Sequence, residues 1–127
     1  MQKVTKEMLL RISGADVHKC MRCGKCSASC PAYDAMEYHP HQFVSMVDSG
    51  DIQPLLVSDA AHKCLSCFAC MQRCPRDVKP AKLVEAVRAV CVRRQNGNRL
   101  AKETIPQLLD IDLPQQAIVS AFRKYTK

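Results

Sequence analysis

Eight of the nine cysteines in this 127-residue chain fall into two runs of identical spacing. Each run has the form C-x2-C-x2-C-x3-C-P, and the second begins 44 positions after the first. The first run is Cys20, Cys23, Cys26 and Cys30, and the second run is Cys64, Cys67, Cys70 and Cys74. A repeat of this kind indicates a duplicated unit that binds a cofactor through sulfur.

The spacing within each run is typical of cysteines that bind a cubic 4Fe-4S cluster, in which each of four irons takes one thiolate. Three cysteines two residues apart can reach three corners of a cube from one tight loop, so the fourth ligand must come from elsewhere. In the bacterial two-cluster pattern, the fourth cysteine of each run binds the other cluster. We therefore expect two 4Fe-4S clusters, one held by Cys20, Cys23, Cys26 and Cys74 and the other by Cys64, Cys67, Cys70 and Cys30.

Other uses of cysteine fit the pattern less well. A structural zinc site needs four ligands, usually as two C-x2-C pairs, which leaves the third cysteine of each run surplus. A disulfide framework needs an oxidising compartment, but the stretch from Met1 to Leu10 lacks the apolar core of a secretory signal. Buried structural cysteines would not repeat at a fixed offset. The sequence therefore favours metal binding in a reducing cytoplasm.

Helix signals predominate outside the two runs, and no stretch shows the alternation of a half-buried strand. Capping residues and prolines predict four helices, which begin near Thr5, Pro40, Pro80 and Pro114. Glycines predict where the first three end, at Gly14, Gly50 and Gly97. The third helix has an apolar stripe that includes Leu83, Val87 and Cys91, so we expect Cys91 to belong to the core.

We therefore predict an all-α fold of short helices around two clusters. The chain has no Trp, three Tyr and three Phe, so the clusters must supply part of the cohesion that large side chains normally give. We expect a two-cluster domain over residues 1–97 and a helical extension over 98–127. The extension carries an apolar stripe of Ile118, Ala121, Phe122 and Tyr125, which either docks on a partner or folds back over the core.

Composition excludes several functions. The longest uncharged apolar stretch, from Ile52 to Ser58, is far too short to span a membrane. The formal charge of +7 falls to roughly +3 once each cluster contributes about −2, and no recognition helix for nucleic acid is evident. No catalytic motif is present, and a cluster held by four cysteines has no open coordination site for substrate. Electron transfer, without catalysis by this chain, is therefore the expected function.

Four histidines complete the set of residues with chemical interest. His18 and His62 precede the two runs at the same offset, where they either tune a cluster by hydrogen bonding or serve as caps or surface residues. His39 and His41 flank Pro40 at a helix start, and we expect both to be solvated.

The segments from Cys23 to Pro31 and from Cys64 to Pro75, with the helical insert between them, resemble the C subunit of heterodisulfide reductase, an alpha-helical ferredoxin. The resemblance covers roughly residues 15 to 95, and all eight ligand cysteines are present. It implies an iron-sulfur protein that relays electrons between a flavin-containing subunit and a cysteine-rich catalytic subunit. The complex would serve thiol-disulfide reduction in an anaerobe or, as we favour, sulfur metabolism in a sulfur-oxidising bacterium.

Related iron-sulfur subunits share the motif and remain alternatives. They belong to complexes of the glycerol-3-phosphate dehydrogenase, glycolate oxidase and succinate dehydrogenase types. An iron-sulfur redox sensor is a further alternative.

Overall fold

A computed structural model describes residues 4–93, 103, 105–112 and 114–123. These ranges contain helices and turns and no strand, which confirms the predicted all-α fold. The chain divides into two compact units, residues 1–93 and residues 94–127. The α-helices are α1 (Lys6–Ser13), α2 (Lys25–Ala28), α3 (Pro40–Ser49), α4 (Gln53–Val57), α5 (Ala60–Lys63), α6 (Ala69–Arg73), α7 (Pro80–Val92), α8 (Ile105–Leu108) and α9 (Gln115–Arg123).

The predicted starts and stops of the first two long helices are confirmed. The Thr5 hydroxyl accepts a hydrogen bond from the Met8 amide at the start of α1, and Gly14 ends it in the left-handed conformation at φ 61°. Helix α3 begins at Pro40 and ends at Gly50, which has φ 85°. These local signals fix the two helices that flank the first cysteine run.

Helix α7 is the centre of the first unit, since α1, α3, α4, α5 and α6 all pack against it. Its Leu83, Val84 and Val87 are fully buried, while Cys91 is half-buried against the core and its Sγ lies 3.5 Å from the carbonyl oxygen of Leu56. The helix begins at Pro80 as predicted but ends at Val92, because Arg93 leaves the helical conformation at φ −100° and ψ 48°.

The second unit contains α8 and α9. Helix α9 begins directly after Pro114, as predicted, and the Ala117 amide donates to the Pro114 carbonyl. Ile118 is half-buried, Val119 is exposed, and the predicted stripe residue Tyr125 lies outside the described residues. The predicted boundary at residue 97 stays a prediction. None of the helices in the described ranges has the length and apolar content needed to cross a bilayer.

Candidate functional site

The two cysteine runs share one backbone conformation. Cys20 has φ −64° and ψ 119°, and Cys64 has φ −62° and ψ 126°. Two residues later, Arg22 and Ser66 both adopt the left-handed conformation, with φ of 56° and 52°. This turn aims the amide of each at the preceding cysteine, with N–H to Sγ bonds of 3.4 Å in the first run and 3.5 Å in the second. The sequence repeat is therefore a structural repeat.

A second left-handed residue follows in each run and begins a short helix. Gly24 has φ 73° at the start of α2, and Phe68 has φ 61° at the start of α6. Helices α2 and α6 pack against each other and carry the third cysteines, Cys26 and Cys70. The second cysteine of each run, by contrast, is exposed. Each loop thus presents one cysteine towards the other loop and one towards solvent.

One cavity brings together cysteines from both runs. Cys20, Cys23 and Cys26 of the first run line it with Cys74, the last cysteine of the second run. The cavity has about 370 Å³ of open space, part of it continuous with solvent. Three thiols of one run therefore share this space with a thiol that is distant in sequence. Two of these four sulfurs accept hydrogen bonds of 3.4 Å from backbone amides: Cys20 from Arg22, and Cys74 from Val78.

The remaining cysteines interact as a second group. Burial raises the pKa of the Cys30 thiol, and the nearby Cys64 and Cys67 raise it further, against a backbone hydrogen bond that lowers it. Burial and then Cys64, Cys26 and Cys67 raise the pKa of Cys70 to about 11. Cys30 is therefore an electrostatic neighbour of the second run although it follows the first run in sequence. The influence of Cys26 on Cys70 also shows that the two groups are adjacent.

The chemistry of these residues fits a cluster bound through sulfur. All eight candidate ligands are thiols, which are the ligands that iron-sulfur clusters and zinc prefer. Thiols with raised pKa values remain protonated at neutral pH until a metal displaces the proton. Within the described ranges, no three His, Cys, Asp or Glu side chains lie close enough together to hold a single metal ion. The predicted ligand set itself stays a prediction.

His39 and His41, which we expected to be solvated, are both half-buried, and His41 has the more specific contacts. Its ring lines the cavity with Cys26, and its Nδ1 lies 2.6 Å from the hydroxyl oxygen of Ser27, a residue that is only 5% exposed. The His41 amide donates a second bond of 3.1 Å to the same oxygen. Desolvation by burial, and then the neighbouring His39, lower the pKa of His41. The packing of α3 on α2, which the sequence does not reveal, explains the position of His41.

The other histidines lie at other positions. His39 stacks on Tyr33 with ring centroids 3.8 Å apart. His18 is 72% exposed in its side chain, and its Nδ1 lies 3.2 Å from an Asp48 carboxylate oxygen that also pairs with Lys6. His18 therefore helps to tie the start of the first run to α1 and α3, whereas His62 is exposed.

Arg88 of α7 anchors the second run in a way that the sequence did not suggest. Its Nε donates to the Ala61 carbonyl at 2.8 Å, and its Nη2 donates to the Cys64 carbonyl at 2.7 Å. Its Nη1 lies 3.3 Å from the hydroxyl oxygen of Ser66. One guanidinium group thus contacts both α5 and the first turn of the second run, and it places a positive charge beside that run.

The comparisons with known proteins agree with this geometry. The family model of the 4Fe-4S dicluster domain matches residues 16–78, a range that includes both runs and the helices between them. This part of the chain is therefore similar to 4Fe-4S dicluster domains. The C subunit of the Ferredoxin:CoB-CoM heterodisulfide reductase of Methanosarcina acetivorans is 30% identical over 84 residues. That match covers 66% of this chain and confirms the resemblance found in the sequence, although it spans only 33% of the relative.

Proposed function

We propose that the dicluster domain holds two 4Fe-4S clusters through crossed ligands. Cluster 1 is held by Cys20, Cys23, Cys26 and Cys74, and cluster 2 by Cys64, Cys67, Cys70 and Cys30. The observation that carries this assignment is the presence of Cys74 in the cavity that Cys20, Cys23 and Cys26 line. The electrostatic influence of Cys64 and Cys67 on Cys30 supports the reciprocal exchange in the second group.

We infer that the domain relays single electrons. When bound, each cluster supplies a one-electron carrier whose irons are all capped by cysteine sulfur. The amides of Arg22, Ser66 and Val78 point at ligand sulfurs, where fixed dipoles offset negative charge. The contact between α2 and α6 keeps Cys26 and Cys70 adjacent, which gives a short path between the two sites. The exposed Cys23 and Cys67 bring each site close to the surface that a redox partner reaches.

In the wider role we propose, the chain is the iron-sulfur subunit of a heterodisulfide reductase-like complex in the cytoplasm. It passes electrons between a flavoprotein and a cysteine-rich catalytic protein of that complex, in thiol-disulfide or sulfur metabolism. The similarity to a protein named as the C subunit of heterodisulfide reductase supports this role. The extension over residues 98–127 is proposed as the element that docks on a partner.

Cofactor content tests the first part of the proposal. Anaerobically purified protein should contain about eight iron and eight sulfide per chain. Cys74→Ala should damage cluster 1, and Cys30→Ala should damage cluster 2, as judged by electron paramagnetic resonance of the reduced protein. Cys91→Ala is the matched control, since Cys91 lies on α7 outside both runs. Stoichiometric zinc without sulfide contradicts the proposal. Local ligation also contradicts it: in that case Cys74→Ala would damage cluster 2 and Cys30→Ala would damage cluster 1.

Co-purification tests the wider role. The full chain, isolated from its native cell, should retain a flavoprotein and a cysteine-rich protein. Truncation after Gly97 should abolish that retention while leaving iron content and thermal stability unchanged. If the truncated protein loses its clusters, the extension belongs to the core. If instead the full chain retains the subunits of another dehydrogenase, the role in heterodisulfide chemistry is wrong.

A further inference from the structure

The two cysteine loops share a backbone conformation but differ in charge. The loop of the first run, residues 20–26, contains the cations Arg22 and Lys25, and both are exposed. The loop of the second run, residues 64–70, contains no charged residue. At the offset of 44, the two cations correspond to a serine and an alanine. The shared spacing of the cysteines therefore does not require either cation.

The segment that carries Cys74 adds further cations to the wall of the same cavity. Residues 74–80 include Arg76, which lines the cavity, and Lys79, which lies between two lining residues. Asp77 is the acid of this segment, so the two segments together carry four cations and one acid, a net charge of +3. We call these four cations the basic face; they are Arg22, Lys25, Arg76 and Lys79.

The arginines of the basic face make no polar contact within the described parts of the chain. Arg22 and Arg76 are both exposed, and neither side chain forms an ion pair or a hydrogen bond there. A guanidinium group binds carboxylates through two parallel hydrogen bonds. Met21, which is 55% exposed, and the exposed Cys23 line the same cavity wall. Arg and Met are both enriched where proteins contact each other.

Neutralisation of a bound cluster does not by itself explain these cations. A 4Fe-4S cluster with four thiolates contributes about −2, and the second cluster would contribute the same. The equivalent segments of that second group, residues 64–70 and 30–36, contain Asp34 and no cation. Arg88 of α7 supplies one positive charge beside them. The basic face thus exceeds what the second group needs for the same cofactor, and its positive charge is available to an anionic partner.

We propose that the basic face docks an acidic redox protein and that electrons pass between that protein and cluster 1. The inference rests on the proposed two-cluster function. Carboxylates around the redox centre of the partner would pair with the arginines, while Cys23 gives the shortest route to the cluster because it is exposed in the same cavity wall. Opposite charges also steer the encounter of two proteins and raise its rate by about 10- to 1,000-fold.

The test compares two protein acceptors of opposite charge by stopped-flow absorbance, with the full chain loaded with clusters and reduced. The acidic acceptor is a flavodoxin, whose flavin takes one electron from a cluster and one proton from water to form the semiquinone. The basic acceptor is cytochrome c, whose haem iron takes one electron. Raising the ionic strength from about 0.01 M to about 0.15 M shortens the Debye length from about 30 Å to about 8 Å. The rate with flavodoxin should then fall about tenfold, and the rate with cytochrome c should not fall.

Variants identify the residues responsible. Arg22→Gln combined with Arg76→Gln should lower the rate with flavodoxin about tenfold at low ionic strength and should weaken its salt dependence. The rate with cytochrome c should not fall in this variant. Lys25→Gln combined with Lys79→Gln repeats the test on the other half of the basic face if the first variant does not load its clusters. Iron and sulfide are measured in every protein.

The matched control is Arg11→Gln combined with Arg93→Gln, which removes the same charge from exposed positions outside the cavity. It should leave both rates unchanged. The inference is overturned if this control slows flavodoxin as much as the basic-face variant does. It is also overturned if the basic-face variant slows both acceptors equally, because the cations would then act on the cluster rather than on docking.

Two results with the wild-type protein complete the test. If the loaded protein reduces cytochrome c but its rate with flavodoxin does not depend on ionic strength, the inference fails while the proposed function stands. Duplex DNA that binds at physiological ionic strength, in the absence of any steering of flavodoxin, would assign the basic face to nucleic acid instead. A wild-type protein that lacks clusters, or that reduces neither acceptor, overturns the proposed function as well, so the two failures are distinguishable.

Discussion

Removal of the Arg88 guanidinium group should weaken the second cysteine run selectively. The group donates to the Ala61 carbonyl at 2.8 Å and to the Cys64 carbonyl at 2.7 Å, with a longer contact of 3.3 Å to Ser66. It joins α7 to segments 22 to 27 positions earlier in the chain. Among the described residues, no other hydrogen bond ties the backbone of Cys64 to the central helix.

The magnitude follows from the two short bonds. Hydrogen bonds from a charged donor contribute about 1.5 kcal/mol each at the lower end of their range, which suits a half-buried side chain. The longer contact adds little, and the cost of ordering a long side chain offsets part of the total. Replacement by Met, which keeps the aliphatic volume, should therefore lower the free energy of unfolding by about 2 kcal/mol. In a unit of this size the melting temperature should fall by roughly 10 °C.

The assay is thermal unfolding of the cluster-loaded protein under anaerobic conditions, with electron paramagnetic resonance to follow each cluster. Arg88→Met should lose cluster 2 before cluster 1. Arg88→Lys should recover only part of the stability, because an ammonium group lacks the planar fork that reaches both carbonyls. Lys82→Met is the matched control, since Lys82 is an exposed cation on the same helix. An unchanged melting temperature in Arg88→Met, or equal loss of both clusters, would refute the reasoning.

Three further predictions concern strain, pH and the cofactor. Phe68 has φ 61°, a left-handed conformation that strains a residue with a side chain, so Phe68→Gly should stabilise the loaded protein by about 0.5 kcal/mol. Gly24→Phe, at φ 73°, should destabilise it. Calorimetry that shows stability changing in the same direction in both variants would contradict this. Cluster assembly on the reduced apo-protein, followed by absorbance, should accelerate between about pH 7 and about pH 9, since the thiolate fraction of Cys70 rises about 100-fold when its pKa is about 11. Cys91→Ala should show the same pH profile, and a flat profile would count against thiol ionisation as the limiting step. Chelation of the iron should reduce helicity in far-ultraviolet circular dichroism, because separated segments hold each proposed cluster; unchanged helicity would mean that the core suffices alone.

The sequence predicted those parts of the fold that local chemistry determines. Thr5, Gly14, Pro40 and Gly50 mark helix ends through their own dihedral angles and hydrogen bonds, so their effect does not depend on distant partners. The early end of α7 at Val92 was missed because Gly97 was the nearest residue with a stop signal. The repeat likewise predicted that the two runs would share a structure, since identical spacing places the same steric demands on the backbone.

The supporting residues could not be predicted in the same way. His41 and Ser27 are 14 positions apart, and Arg88 and Cys64 are 24 apart, so each pair depends on how helices pack. The left-handed conformation of Ser66 was also hidden, because non-glycine residues seldom adopt it without tertiary support. The repeat did contain one indication. Gly24 is equivalent to Phe68 at the offset of 44, and a glycine at one copy indicates that the other copy also adopts a left-handed conformation.

The two halves of the repeat are equivalent in backbone but differ in what supports them. Helix α3 packs against α2 and the turn before the first run, and it contributes a neutral pair, Ser27 and His41. Helix α7 packs against α5 and α6, and it contributes the cation Arg88. The charge of Arg88 acts on the second loop over a longer range than a neutral pair acts on its surroundings. Two proposed clusters with the same ligand set can therefore acquire different reduction potentials from the helices behind them, and an electron would then move between the two sites in one preferred direction.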